Sequence, residues 1–236
     1  MKRKLLLAAL LVLAVTNISY ALAASQVREL PTFTEISLRV PATVTVVQGP
    51  QQSIEIEAAK STLDELITEV RGRTLIIRFP SRSRFNRSFI AGDIKIKVTV
   101  PEITALNIAG SGDILADRLS SLILDLNISG SGSIKIKRLE ADRVIAVISG
   151  SGDVVIEGGA RSSEFNGSIS GSGNIRAADY EATAVSLRIA GSGNAYIQSN
   201  GNLFARIAGS GNVFYTGNPS IDISVAGSGK VVDSNR

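Results

Sequence analysis

The chain has 236 residues, 44% of them hydrophobic but only 5% aromatic, and a formal net charge of +4. That length and apolar content allow a sizeable buried core, and the scarcity of rings means it must be built from Ile, Leu, Val and Ala. With no His and no Cys, hydrolytic histidine triads, histidine- or cysteine-ligated zinc, thiol nucleophiles and disulfides are all excluded.

Residues 1–23 read as a secretory signal. Lys2, Arg3 and Lys4 form its positive end, Leu5 to Val15 its apolar stretch, and Ala21-Leu22-Ala23 its cleavage site. Eleven continuous apolar residues fall short of the roughly 20 that span a bilayer, so the mature chain is expected to start at Ala24 and to keep no transmembrane span. Taking three of the 25 cations and none of the 21 acids leaves 22 against 21, a balance that gives no support to nucleic-acid binding. Export by a bacterium to the periplasm, the cell surface or the medium fits this reading and the lack of cysteine.

Residues 24–100 form a less regular β part. Ile36, Leu38 and Val40, then Val44 and Val46, then Ile54 and Ile56 alternate with polar residues, while Pro41, Gly49-Pro50 and Gly72 mark turns. One short helix is expected over Ser61–Ile67, opened by a capping box of Ser61 and Asp64, with Leu63, Leu66 and Ile67 on one face. Between strands at Leu75–Phe79 and Ile94–Val100 lies an arginine-rich loop. The six arginines 71, 73, 78, 82, 84 and 87 have no acid among them in sequence. Arg82, Arg84 and Arg87 are the candidate anion-binding residues, since guanidinium forks suit phosphate, sulfate and lipid headgroups; a solvated hairpin tip is the plainer reading.

From residue 101 to 236 a repeat takes over. A tripeptide recurs at Gly110-Ser111-Gly112, Gly130-Ser131-Gly132, Gly150-Ser151-Gly152, Gly171-Ser172-Gly173, Gly191-Ser192-Gly193, Gly209-Ser210-Gly211 and Gly227-Ser228-Gly229, at spacings of 20, 20, 21, 20, 18 and 18 residues. Two residues before each stand Ile108, Ile128, Ile148, Ile169, Ile189, Ile207 and Val225. Two residues after stand Ile114, Ile134, Val154, Ile175, Ala195, Val213 and Val231. This period of two on both sides makes each repeat strand, corner, strand, with both columns pointing inward. A lone repeat cannot offset the entropy of ordering twenty residues, so the repeats must stack into a β-solenoid. Seven corners at the strand spacing extend about 29 Å. Glycine suits a corner needing positive φ, and the serine hydroxyls are expected to bond along the stack or to the corner backbone. The next residue, Asp113, Ser133, Asp153, Asn174, Asn194, Asn212 or Lys230, suits a ladder of side-chain to backbone bonds. The outward column Leu115, Lys135, Val155, Arg176, Tyr196, Phe214 and Val232 is a binding face, a surface covered by the N-terminal strands, or simply a run of β-branched and aromatic residues that suit strands.

No phosphate loop, nucleophile elbow or calcium nonapeptide repeat occurs. Asp113 and Asp153 stand two turns apart, too far to share one calcium ion. No cofactor or metal is therefore expected. Among catalytic readings, a polysaccharide lyase or hydrolase using Asp93, Asp113, Asp153 or Glu157 remains.

The signal, the Phe33-x-x-Ile36-x-Leu38-x-Val40-Pro41 stretch, the Val44-Thr45-Val46-x-x-Gly49 run and the Ile-x-Gly-Ser-Gly-Asp/Asn corners together resemble the bacterial domain-of-unknown-function family labelled "putative autotransporter adhesin, head GIN domain", over roughly Phe33 to Val232. The resemblance implies a right-handed, single-stranded β-helix exported by bacteria, with no catalytic residues to carry over. Nothing in the chain resembles a membrane β-barrel translocator. The expected function is non-enzymatic: an adhesin-like or envelope scaffold and binding protein, with envelope glycan, lipopolysaccharide or another surface protein as partner. A homo-oligomer through the C-terminal end, where Lys230 and Asp233 would guard an open strand edge, is a further expectation.

Overall fold

A computed structural model describes residues 23–80 and 93–235. The signal segment therefore lies outside the described residues, apart from Ala23, which opens β1 (Ala23–Val27). There follow β2 (Glu35–Leu38), β3 (Thr43–Gln48), β4 (Ser53–Ala59), α1 (Lys60–Glu65), β5 (Ile67–Arg71), β6 (Thr74–Arg78) and β7 (Lys95–Val100). The repeat region supplies β8 (Ala105–Gly110), β9 (Asp113–Gly130), β10 (Ser133–Gly150), β11 (Asp153–Ile156), β12 (Ser162–Gly171), β13 (Asn174–Gly191), β14 (Asn194–Gly209), β15 (Asn212–Thr216), β16 (Ser220–Gly227) and β17 (Lys230–Asp233). All 17 strands belong to one hydrogen-bonded network.

The architecture is a β-solenoid of about six turns, wound between the seven corners. Every pairing within the repeat region is parallel and corner stands on corner, for example Ile128 on Ile108 and Gly130 on Gly110. A strand of 18 residues such as β9 would be about 60 Å long if straight. It instead wraps a full turn. Its inward residues Ile114 and Ala116 are followed by exposed Asp117 and Arg118, then by buried Leu119, then by exposed Leu122 and Ile123 before Leu124, Leu126 and Ile128 turn inward again. Each pair of exposed neighbours marks a further bend, so the coil has a third, short side carrying one or two inward residues per turn, Leu119 in β9, Leu139 and Ala141 in β10 and Tyr180 and Ala182 in β13.

The core is a set of aliphatic columns. Ile108, Ile128, Ile148, Ile169, Ile189 and Ile207 are buried, as are Ile114, Ile134, Val154, Ile175, Ala195 and Val213. Each fully buried side chain of this size contributes about 1.5–3 kcal/mol. The last member of each column departs from the expectation, because no described turn covers it: Val225 is exposed and Val231 is only partly buried.

The N-terminal part extends the same stack, out of chain order. Strands β2 and β3 pair in parallel with β8 and the start of β9 on one side, and with β6 and β7 on the other. The β2–β3 turn is thus inserted between a turn made by β6 and β7 and the first glycine-cornered one. Antiparallel strands finish this end: β4 lies on β7, β1 on β4 and β5 on β6. The helix is shorter than expected and has no capping box. Ala59 occupies the N-cap without any side-chain bond, and Ile67 has already entered β5. Its other end is held from outside: the guanidinium of Arg28 donates to the carbonyls of Leu63 and Leu66, at 2.9 and 2.7 Å, and to Thr68 Oγ1. Burial lowers the pKa of that guanidinium.

Changes of repeat length are absorbed away from the glycine corners. Between β13 and β14 the pairing stays in register through Ala177 and Ile197, then jumps at Glu181–Gln198 and again at Ala184–Asn202. The bend opposite the glycine corner thereby loses the two residues that separate a 20-residue repeat from an 18-residue one.

Candidate functional site

The glycine corners form a continuous ridge. In each, the carbonyl of the first glycine accepts two backbone bonds from the next turn: Ser131 N at 2.9 Å and Gly132 N at 3.1 Å on Gly110 O, repeated up to Ser228 and Gly229 on Gly209 O. This geometry requires φ between +127° and +135° at the first glycine. It also leaves no room at the second, where a Cβ on Gly132 would stand 2.1 Å from Gly112 O. The expected role of the serine hydroxyls is corrected, because amide N–H groups make the corner bonds. The hydroxyls themselves are exposed and have no hydrogen-bond partner among the described residues. The polar ladder beside the ridge does form. Asp113 Oδ1 accepts from Ser133 N and Oγ, Asp153 Oδ1 from Asn174 N and Nδ2, Asn174 Oδ1 from Asn194, Asn194 Oδ1 from Asn212, and Asn212 Oδ1 from Lys230 N.

The carboxylates considered for catalysis are thus occupied or dispersed. Asp113 and Asp153 serve the ladder, Asp153 also holds Arg176 at 2.7 Å, Glu157 pairs with Lys135 at 2.5 Å, and Asp93 is exposed elsewhere. Among the described residues no three Asp or Glu side chains gather as a metal site.

The outward column after the corner is not covered by the N-terminal strands; they lengthen it. Thr45 lies beside Leu115 and Lys97 beside Thr45. Leu115 is 37% exposed. Tyr196 and Phe214 stack with ring centroids 4.8 Å apart and planes 8° from parallel. Lys135 and Arg176 interrupt the apolar run, so the face is mixed.

The face before the corner was missed by the sequence reading. The residue preceding each tripeptide, Ala109, Ser129, Ser149, Ser170, Ala190, Ala208 or Ala226, is small in all seven copies, a signal that was present in the sequence. These positions align side by side as a shallow channel. At its N-terminal end a groove of about 360 Å³ is lined by Ser37, Arg39, Asn107, Asn127, Ser129 and Ser149. Asn127 Nδ2 donates to Asn107 Oδ1 at 2.9 Å, and Asn107 Nδ2 to Ile36 O at 3.2 Å. Toward the other end Arg188 and Arg206 lie side by side in register, and the Arg206 guanidinium sits 4.5 Å over the Phe204 ring. Neither has a carboxylate at ion-pair distance among the described residues.

The arginine cluster is smaller in space than in sequence. Glu69 holds Arg71 and Arg78, each at 2.9 Å, and Glu35 holds Arg73 at 2.9 Å. Arg82, Arg84 and Arg87 lie outside the described residues, in the segment that joins β6 to β7.

At the far end, among the described residues, β16 pairs only with β14, and β17 only with β15. Ile221, Ile223 and Val225, which continue inward columns, are 41%, 42% and 40% exposed. On the β17 side Asp233 occupies the inward column beside Tyr215 and accepts two bonds from Asn235, whose side chain also bonds Gly217. Desolvation and the Asp233 carboxylate raise the pKa of the Tyr215 phenol. Asp233 thus places a carboxylate in the inward column at this end, whereas the Lys230 amide continues the polar ladder.

A family model described as "Putative auto-transporter adhesin, head GIN domain" matches residues 32–219. Comparison with curated proteins found no match. Solved structures share the fold. A protein of Bacteroides fragilis described as a putative adhesin has a TM-score of 0.82 at 23% identity, over 89% of this chain and 95% of its own. One of Parabacteroides distasonis described as a putative lipid binding protein has a TM-score of 0.72 at 24% identity, over 89% and 97%. A putative adhesin of Parabacteroides merdae has a TM-score of 0.69 at 20% identity, over 89% and 96%. Among the described residues no helix is long and apolar enough to cross a membrane.

Proposed function

We propose that this chain, which belongs to the family described as "Putative auto-transporter adhesin, head GIN domain", is exported and works without catalysis as an adhesin-like scaffold, its long lateral faces contacting envelope glycan, lipopolysaccharide or another surface protein. The carrying observation is the unbroken register of both faces: the column through Thr45 and Leu115 and the channel through Ala109 and Ser129 run along the stack, and among the described residues no turn of the repeat region leaves that register beside the glycine corner. Active sites interrupt a scaffold, and here Asp113, Asp153 and Glu157 are bound into the ladder or ion pairs while Asp93 stands apart from them. Incubation with pectin, alginate and peptidoglycan fragments tests the point; release of unsaturated products or new reducing ends would establish an enzyme instead.

A narrower reading concerns anionic ligands. Among the described residues Arg188 and Arg206 stand adjacent without an acid partner, and the Parabacteroides distasonis protein of the same fold is described as a putative lipid binding protein. Guanidinium pairs suit phosphate groups. Purified chain is expected to be retained on lipopolysaccharide or anionic liposomes. The Arg188→Ser/Arg206→Ser and Arg82→Ser/Arg84→Ser/Arg87→Ser variants show which cluster holds it, and retention undiminished in both sinks the anionic reading.

A further inference from the structure

We infer that the β16 edge is a self-association site, at which β16 pairs antiparallel with β16 of a second copy about a two-fold axis through Ile223. Among the described residues this edge carries no further strand, and it offers backbone groups and three apolar side chains, Ile221, Ile223 and Val225, that belong to core columns yet are about two-fifths exposed. Protein edges of this kind are normally blocked by a charge pointing inward. That block exists only on the neighbouring side, where Asp233 occupies the inward column next to Tyr215. Bringing an apolar partner over Asp233 would desolvate its carboxylate, so docking is confined to β16.

The sequence of β16 is complementary to itself. Reversed about Ile223, it sets Ile223 against Ile223 and Ile221 against Val225 of the partner copy, keeping apolar positions on the inward side. The same register sets Asp222 opposite Ser224, so no like charges face each other. Centring on Asp222 would oppose two carboxylates, and a slip of one residue would turn every apolar position outward. The other end of the molecule does not offer this match. Antiparallel β4 and β5 and the helix α1 cover the first turn there, and Glu69 is held between Arg71 and Arg78 on β5 and β6. An isologous pair therefore closes on itself and does not grow into a filament. With one short strand from each copy, the contact lies at the small end of stable interfaces, so the dimer is expected to dissociate on dilution.

Sedimentation of the full chain over a wide concentration range tests this. The wild type is expected to show a reversible monomer–dimer equilibrium, and Ile223→Lys to stay monomeric. Ser224→Asp separates docking from folding. Within one copy residue 224 lies beside Arg206, so the new carboxylate favours the fold, while across the axis it faces Asp222 twice. Its dimer should be about tenfold weaker, with thermal stability unchanged or raised. A wild type that is monomeric throughout, or a Ser224→Asp dimer as tight as wild type, overturns the proposal.

Discussion

At the scale of single residues, the corner glycines separate two costs that usually come together. Gly110 and Gly130 share a φ near +135°, but a Cβ at Gly110 meets nothing within 4 Å, whereas at Gly130 it would lie 2.2 Å from Gly110 O. Gly110→Ala should therefore cost about 1–3 kcal/mol of backbone strain alone. Gly130→Ala should cost clearly more, because two stacked turns must separate; urea unfolding of the pair measures the difference. Glu35 gives a pH signature. Thr74 and Arg73 both hydrogen-bond its carboxylate and hold its pKa below the usual range. A carboxyl with a lowered folded pKa stabilises above its unfolded pKa, and that contribution fades as pH falls through the folded one. Glu35→Gln should thus lower stability by roughly 1 kcal/mol at neutral pH and by progressively less in acid, read from denaturation midpoints between pH 3 and 7. The need for glycine was legible at these corners because only positive φ and close approach demand it. The donor was not: a sequence shows that serine carries a hydroxyl, but not that the amides are the groups aligned with the stack.

At the scale of elements, legibility followed the number of inward residues per side. The two sides flanking the glycine corner carry several each and show a period of two, so their columns were evident. The third side carries only one or two per turn, and its buried occupants Leu119, Leu139, Ala141, Ser162, Tyr180, Ala182 and Ser199 share no chemistry. That side has its own logic. Tyr180 donates its hydroxyl to Ala141 O at 3.1 Å, two turns back, past a turn of small residues, Gly158, Gly159, Ala160 and the buried Ser162. At Gly159 a Cβ would stand 1.8 Å from Leu139 O. Tyr180→Phe should cost about 1–2 kcal/mol through the lost bond, measurable by chemical denaturation. The N-terminal turns were also hidden, since β2 finds its neighbours in β6 and β8, and local periodicity carries no word of such partners. The helix is a similar case: its anchor is Arg28, far upstream in sequence. Arg28→Met should speed amide exchange in α1 and β5 while leaving β10 to β13 unchanged.

At the scale of the whole molecule, the described stack is covered by antiparallel strands at one end, while at the other β16 has no described strand on its outer edge. Stability in such arrays is a sum over neighbouring turns, so amide exchange should be slowest in β10, β12 and β13 and fastest in β16 and β17. Uniform protection up to Gly227 would contradict that gradient. The corner bonds carry a last consequence. Because each first-glycine carbonyl receives the two amides of the next turn, with the polar ladder repeating the same step beside it, every turn is copied from the one before it, and the register shifts in β13 show that length differences are taken up elsewhere. The molecule is in effect a measuring rod graduated at about 4.8 Å. Duplicating residues 130–149 should lengthen it by one graduation and leave both ends as they are, so the distance between its two ends is a quantity that can be set by counting repeats.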